Sequence, residues 1–212
     1  MKKWTYEPDA LDENGNRYNA LTNEILLKWL DKYLDPKENY IEISGGEPGM
    51  YPEIKTLIPA LTEKGYKGLI KTNGSRSIPE SKNFKRIAAW HKDKPFPEYY
   101  DLILILKNPN DNWQEKEEYC KDRNIAHVCF DYQYYNKPNQ PRTVYPNREL
   151  IKSVTTMYAS GNMAGCSNQF QPDKSIFKDS EPSFFDSSSC TYCGNIGGFE
   201  SFLLDHFQEL LP

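Results

Sequence analysis

The chain has 212 residues, enough for one sizeable domain or for a domain with an extension. Its formal net charge of −4 argues against general attraction to nucleic acid or to anionic membranes. No apolar run approaches the roughly 20 residues that a membrane helix needs, and Met1–Trp4 lacks the apolar stretch of a signal peptide. We therefore expect a soluble, cytoplasmic protein whose five cysteines are reduced thiols or metal ligands.

The N-terminal part predicts one helix and one strand. The first twenty residues are polar, with at most a short strand near Trp4–Tyr6. A helix is predicted from the N-cap Thr22 to Asp35-Pro36, because the apolar residues between them fall on one helical face. A short β-type run over Tyr40–Ser44 follows.

Helices and strands then alternate along the chain. The predicted helices are Glu53–Lys64, Asn83–His91, Asn112–Asp122 and Asn147–Ser160, and the further predicted strands are Lys67–Thr72, Asp101–Lys107 and Ala126–Asp131. The run Leu102–Leu106 is apolar without alternation, which is typical of a strand buried on both faces of a parallel sheet. Four strands alternating with helices predict βαβ units and an α/β fold.

The composition changes after residue 160. Residues 161–198 are rich in Gly, Ser, Asn, Phe and Pro and predict a long loop with little regular structure, in which Ser183–Phe185 is a candidate short strand. An amphipathic helix is predicted over Phe199–Leu211. The chain is therefore divided into residues 1–160 and a cysteine-rich extension, residues 161–212.

The segment Gly45-Gly46-Glu47-Pro48 is the most informative one. Its glycines allow a ligand to approach the backbone closely. Glu47 is predicted to follow the C-terminal end of a strand, where parallel α/β folds bind ligands, and a carboxylate there suits a cationic ammonium group. From the pattern alone, an ordinary tight turn with a solvated glutamate is the alternative.

These residues resemble the radical S-adenosylmethionine (SAM) superfamily. In that family a Gly-Gly-Glu-Pro segment ends the second barrel strand, and its glutamate contacts the amino group of the methionine part of SAM. Leu69–Gly74 resembles the third strand, which ends in Thr-Asn-Gly near the cofactor, and Asp101–Lys107 resembles the fourth. The resemblance extends from Trp4 to Asp131 and implies a partial (βα) barrel of the TIM type. The residues that it places at SAM are Gly45, Gly46, Glu47, Pro48, Thr72 and Asn73.

The cluster loop of that family has no counterpart at the expected place. The family binds a [4Fe–4S] cluster through a Cys-x3-Cys-x2-Cys loop after its first strand, yet no cysteine precedes Cys120 here. Trp4–Glu7 resembles the stretch that directly follows this loop, so the first strand and the loop are expected to be lost or moved. Cys120 and Cys129 fall within helix and strand patterns and are expected to be buried core thiols.

The extension holds the candidate metal ligands. Cys190 and Cys193 have the CxxC spacing at which two thiolates reach one metal or cluster. Asp186-x3-Cys190-x2-Cys193 imitates the family's loop with Asp in place of the first Cys, and Cys166 is a candidate third thiolate. This arrangement predicts a [4Fe–4S] cluster brought to the barrel mouth, or an auxiliary cluster as in the family's cysteine-rich extensions. A zinc site of Cys166, Cys190, Cys193 and His206 is the alternative, as are unmetallated thiols.

Two functions remain open from the sequence. The first is a divergent radical SAM-like iron–sulfur protein. In the family, one-electron reduction of SAM gives a 5′-deoxyadenosyl radical that abstracts a hydrogen atom from the substrate, here an unknown small molecule or peptide. The second is a catalytically inactive relative with a zinc-stabilised tail that binds a protein or peptide. The sequence carries no signal for a membrane or nucleic-acid partner.

Overall fold

The structure, a computed structural model, describes residues 21–44, 46–131, 153–154, 156–157, 162–166, 169–175, 178, 180–182, 185–186 and 207. By its backbone contacts the chain divides into two units. One comprises Met1–Asp35 and Val144–His206, and the other comprises Pro36–Thr143 and Phe207–Pro212. The sequence analysis divided the chain at residue 160, between a barrel-like part and a metal-binding extension. That division stays a prediction.

The second unit contains a five-stranded parallel sheet whose strands lie side by side in chain order. The strands are β1 (Tyr40–Ile43), β2 (Lys67–Thr72), β3 (Phe84–Ala89), β4 (Leu102–Lys107) and β5 (His127–Asp131). A doubly wound sheet reverses its strand order at a switch point, whereas a (βα) barrel does not. The predicted α/β fold is therefore confirmed, and the sheet is consistent with a partial barrel.

Two predicted helices of this unit are confirmed. Helix α2 (Ile54–Glu63) connects β1 to β2 and buries the predicted stripe of Ile54, Leu57, Ile58 and Leu61. It is followed by Gly65, whose φ of +89° lies in the left-handed region that glycine enters without strain. Helix α3 (Trp113–Asp122) connects β4 to β5 and packs Cys120 against Ala88, Ile103 and Ile105.

The helix predicted over Asn83–His91 is wrong, because this segment forms β3. Phe84, Ile87 and Ala88 have helical spacing, but the same residues also suit a strand that is buried on both faces. Strand partners on both sides, β2 and β4, decide between the two structures. The sheet therefore has five strands rather than four, and the connections 73–83 and 90–101 contain no helix.

Both helix-free connections are tied to β3 by Arg86, which is only 6% exposed. Its Nε and Nη2 donate to the two carboxylate oxygens of Asp101 at 3.0 and 3.1 Å. Its Nη1 donates to the carbonyl oxygen of Ile78 at 3.2 Å, and Nη2 also pairs with Glu80 at 3.3 Å. The hydrogen bonds to Asp101 raise the pKa of Arg86. One buried guanidinium thus joins the chain before β3 to the chain after it.

The first unit begins with the predicted N-terminal helix. Helix α1 spans Asn23–Tyr33, and the hydroxyl of its N-cap Thr22 accepts a hydrogen bond from the Ile25 amide at 3.4 Å. Trp29 is buried, and its indole N–H donates to the carbonyl oxygen of Ser180 at 2.9 Å. This bond joins α1 to a segment 151 residues later in the chain.

The other strands that the structure describes in the first unit form small antiparallel sheets. Its strands are β6 (Ser153–Val154), β7 (Thr156–Met157), β8 (Asn162–Cys166), β9 (Gln169–Ser175) and β10 (Phe185–Asp186). Strand β6 pairs with β10, and β8 pairs with both β7 and β9. The helix predicted over Asn147–Ser160 is wrong where β6 and β7 lie, and residues 162–166 and 169–175 form strands rather than the predicted irregular loop. Val154 lies opposite Phe185, a partner that local periodicity does not reveal.

Other predictions fall outside the described residues. These are the strand near Trp4–Tyr6 and nearly all of the helix over Phe199–Leu211, of which Phe207 is described and has no regular structure. In the described parts of the chain, no helix has both the length and the apolar character needed to cross a membrane.

Candidate functional site

The candidate site lies where β1 and β2 end. The two strands are parallel, with Ile43 opposite Ile70, so the segments that leave their C-terminal ends lie beside one another. Glu47 lies in the segment after β1, and Thr72 is the last residue of β2. Parallel α/β proteins bind their ligands at this edge.

The carboxylate of Glu47 is held by three hydrogen bonds from this chain. Its Oε1 accepts from the Gly49 amide at 2.9 Å and from the Thr72 hydroxyl at 2.6 Å. Its Oε2 accepts from the Asn73 amide at 2.8 Å. Glu47 is also the N-cap of the short 3₁₀ helix Pro48–Met50. The carboxylate therefore bridges the ends of β1 and β2 in a fixed orientation.

Thr72 supports this carboxylate from a buried position, being 5% exposed. Its hydroxyl donates to Glu47 and accepts from the buried amide of Gly74 at 3.0 Å. Gly74 has a φ of +72°, and a Cβ at this residue would lie 2.3 Å from Cβ of Pro97. The turn after β2 therefore requires glycine, and it fixes the hydroxyl that orients Glu47.

The unused acceptor capacity of Glu47 indicates which ligand group it suits. An ionised carboxylate has about four lone-pair sites. Two donors reach Oε1 and one reaches Oε2, which leaves one site on Oε2. Glu47 is half-buried, so this oxygen can accept one N–H of an ammonium group. The residues present thus fit the amino group of SAM.

The predicted SAM-binding residues have different surroundings. Glu47, Thr72 and Asn73 are brought together by the hydrogen bonds above. Pro48 is buried, and Gly46 has a φ of +34°, in the left-handed region that favours glycine. Gly45 lies outside the described residues. Contact of these residues with SAM stays a prediction.

The predicted metal ligands cannot be placed as a group. The backbone of Cys166 lies at the end of β8 and that of Asp186 in β10, while Cys190, Cys193 and His206 lie outside the described residues. In the part of the chain that the structure describes, no three His, Cys, Asp or Glu side chains are grouped to hold a metal ion. The iron–sulfur and zinc sites therefore stay predictions.

The two thiols expected in the core differ in how deeply they are buried. Cys120 is completely buried, as predicted, and Cys129 is half-buried. Burial raises the pKa of both thiols, and Cys129 raises the pKa of Cys120 further, as Glu117 does for Cys129. A raised pKa disfavours the thiolate that metal binding needs, so both cysteines suit packing rather than ligation.

Two charged features near this edge are not singled out by the sequence pattern. Glu42 and Lys71 form an ion pair of 3.0 Å, with each side chain 24% exposed. Because Glu42 lies opposite Leu69, this pair occupies the sheet face that Thr72 does not. Arg76 is exposed and lies next to Gly49, four residues after Thr72. The available signal was that Glu42 and Lys71 are charges within predicted strands and that Arg76 closely follows the turn after one of them.

A buried lysine fixes the neighbouring part of the same edge. The ammonium of Lys116 donates to the carbonyl oxygen of Trp90, just after β3, at 3.1 Å. It also donates to the Asp111 carboxylate, in the connection after β4, at 2.8 Å. The side chains of Lys116 and Asp111 are 5% and 7% exposed. The chain segments that follow β3 and β4 are therefore held in place.

Comparison with curated proteins finds a relative that matches part of the chain. No protein-family model matches the chain. The 7-carboxy-7-deazaguanine synthase of Aquifex aeolicus (strain VF5) is 32% identical over 107 residues, which is 49% of this chain and 45% of that protein. The chain therefore spans less than half the length of this curated relative. The similarity supports a relationship to radical SAM enzymes.

Solved structures show weak similarity. The structure of SuiB of Streptococcus suis bound to S-adenosylmethionine is similar to this chain, with a TM-score of 0.42 and 12% sequence identity. The match covers 84% of this chain and 58% of the SuiB chain. For SuiB bound to precursor peptide SuiA, the TM-score is 0.41 and the sequence identity is 18%. This match covers 65% of this chain and 38% of the SuiB chain. Similarity at these TM-scores does not establish a common fold.

Proposed function

We propose that the chain binds SAM at Glu47 and acts as a radical SAM-like iron–sulfur protein. The observation that carries the proposal is the orientation of the Glu47 carboxylate at the C-terminal edge of a parallel sheet, with one acceptor site left on Oε2. The relative named above supports the same chemistry.

The residues around Glu47 contribute by holding it in place. The amides of Gly49 and Asn73 and the hydroxyl of Thr72 fix both carboxylate oxygens before any ligand arrives. A carboxylate that is already oriented loses little conformational freedom when it binds an ammonium, and this favours affinity. Glu47 thus orients the methionine end of SAM, and Thr72 and the turn at Gly74 position Glu47.

The cysteines of the extension are the proposed cluster ligands. Cys166, Cys190 and Cys193 supply three thiolates, with Asp186 or His206 as a fourth ligand. These residues would hold a [4Fe–4S] cluster, which would pass an electron from an external one-electron reductant for the reductive cleavage of SAM. The substrate that reacts next is a small molecule or a peptide.

The test is chemical analysis of protein purified anaerobically. We expect about four iron and four sulfide per chain, and release of 5′-deoxyadenosine when SAM and a one-electron reductant are added. The Cys190→Ser and Cys193→Ser variants should lose both properties, whereas Cys120→Ser should keep the iron. A colourless wild-type protein that holds one zinc ion and does not bind SAM would contradict the proposal and support the inactive, zinc-stabilised relative.

A further inference from the structure

The turn after β2 contains an asparagine followed by a glycine, the pair in which asparagine deamidates most readily. In this reaction the backbone nitrogen of Gly74 bonds to Cγ of Asn73, the bond from Cγ to Nδ2 breaks, and ammonia leaves with the amide proton. Water then opens the succinimide ring to aspartate or to isoaspartate. Glycine has no Cβ to obstruct ring closure, and Asn73 is exposed to water.

The nitrogen that would attack is held in a hydrogen bond. The Gly74 amide is buried and donates to the Thr72 hydroxyl at 3.0 Å. That hydroxyl itself donates to Oε1 of Glu47 at 2.6 Å, so it cannot turn away without losing a second bond. Because the amide must give up its proton to form the ring, the bond to Thr72 has to break first. A buried amide that loses its acceptor is costly, and this opposes the reaction.

The other atoms of the ring are also fixed. The carboxamide oxygen of Asn73 accepts a hydrogen bond from the Ser75 amide at 2.9 Å. The carbonyl oxygen of Gly74 accepts from the Glu98 amide at 3.1 Å, and a Cβ on Gly74 would lie 2.3 Å from Cβ of Pro97. Gly74 is thus held on both sides, so the ring can close only when the whole turn opens.

We propose that Asn73 is a deamidation site that the Thr72 hydroxyl suppresses, so that the turn is modified only when it opens. Isoaspartate adds an extra atom to the main chain before Gly74, which is packed against Pro97 and has no room to move. The bond from Gly74 to Thr72 is then lost, and a new carboxylate repels Glu47. Modification therefore removes the support of Glu47. The effect on SAM binding rests on the proposed function, whereas the modification itself does not.

The test is the rate of deamidation of the full chain at mildly alkaline pH. Trypsin cleaves after Lys71 and Arg76, and the peptide 72–76 contains Asn73 as its single asparagine. Mass spectrometry of this peptide measures the modified fraction. We expect slower deamidation in the folded wild type than in the chain unfolded by guanidinium.

Two variants and a control test the role of the hydroxyl. Thr72→Val should deamidate about tenfold faster than the wild type, as the loss of one hydrogen bond to a buried amide permits. Thr72→Ser keeps the hydroxyl and should stay close to the wild type. Leu61→Ala weakens the core in the last turn of α2, away from this turn, and should leave the rate at Asn73 nearly unaltered while the protein is folded.

The outcomes separate this inference from the proposed function. Equal rates in the folded and unfolded wild type would overturn it, as would equal rates in Thr72→Val and Thr72→Ser. Acceleration of Leu61→Ala to the rate of Thr72→Val would also overturn it, because global unfolding would then control the reaction. Modified wild type, separated by its added negative charge, should bind SAM about tenfold more weakly. If unmodified wild type binds no SAM, the proposed function fails, while the rates still decide whether Thr72 protects Asn73.

Discussion

Replacement of Thr72 by valine tests the support of the Glu47 carboxylate most selectively. The change keeps the shape of the side chain and removes its hydroxyl, which donates to Glu47 at 2.6 Å and accepts from Gly74 at 3.0 Å. The Gly74 amide is buried and would lose its partner, at a cost of about 1–3 kcal/mol. Glu47 is half-buried and can regain part of its lost hydrogen bond from water, so its contribution is smaller.

We therefore expect Thr72→Val to lower the free energy of unfolding by about 2 kcal/mol. The affinity for SAM should fall by about tenfold, which corresponds to about 1.4 kcal/mol, because Glu47 loses one of the donors that orient it. Thr72→Ser is the matched control, since it keeps the hydroxyl and removes a single methyl group worth about 0.8 kcal/mol. Denaturant unfolding and SAM titration measure the two effects. If Thr72→Val equals Thr72→Ser in both stability and affinity, the hydroxyl does not support the site.

Three further predictions concern the core and its titrating groups. Asp101→Ala should lower the free energy of unfolding by about 3 kcal/mol in a denaturant titration, because it leaves the buried guanidinium of Arg86 without its main partner. Glu80→Ala, which removes an 85% exposed partner of the same guanidinium, should cost less than about 1 kcal/mol; equal losses would contradict this assignment. Cys120 should react with iodoacetamide only when the protein unfolds, because it is completely buried and burial raises its pKa, and mass spectrometry that finds it labelled in the native state would refute this. Burial and the neighbouring Glu53 raise the pKa of Tyr51 from 10.0 to about 12, so its contribution to stability is complete below pH 10 and is lost as the pH rises towards 12. The stability of Tyr51→Phe should therefore fall less than that of the wild type over this interval.

The sequence predicted most of the parallel sheet, because several of its strands carry unambiguous local patterns. Leu102–Leu106 is too short and too uniformly apolar for a surface helix, and it forms most of β4. The end of α2 was marked by Gly65, which adopts the expected left-handed conformation. These features depend on residues close together in the chain.

The errors fall where distant pairing decides the structure. Phe84, Ile87 and Ala88 fit a helical face and a doubly buried strand equally well, and only the neighbours β2 and β4 distinguish them. Val154 likewise becomes part of a strand through its pairing with Phe185. Single-sequence periodicity contains no information about such partners.

The site was predictable in part for the same reason. Glu47 and Thr72 lie in segments that end neighbouring strands, so their proximity follows from the parallel order. That Thr72 donates to Glu47, rather than simply lying near a ligand, depends on side-chain geometry that a motif does not encode. Arg76 was missed because its position depends on close packing against Gly49.

One measurement tests the central claim most directly, namely the dissociation constant of SAM for the wild type and for Glu47→Gln. The amide has nearly the same shape but lacks the charge, so the SAM affinity should fall by about tenfold or more. Glu63→Gln, a change at an exposed position of α2, should leave it unaltered. Equal affinities for the wild type and Glu47→Gln would show that this carboxylate does not receive the ligand.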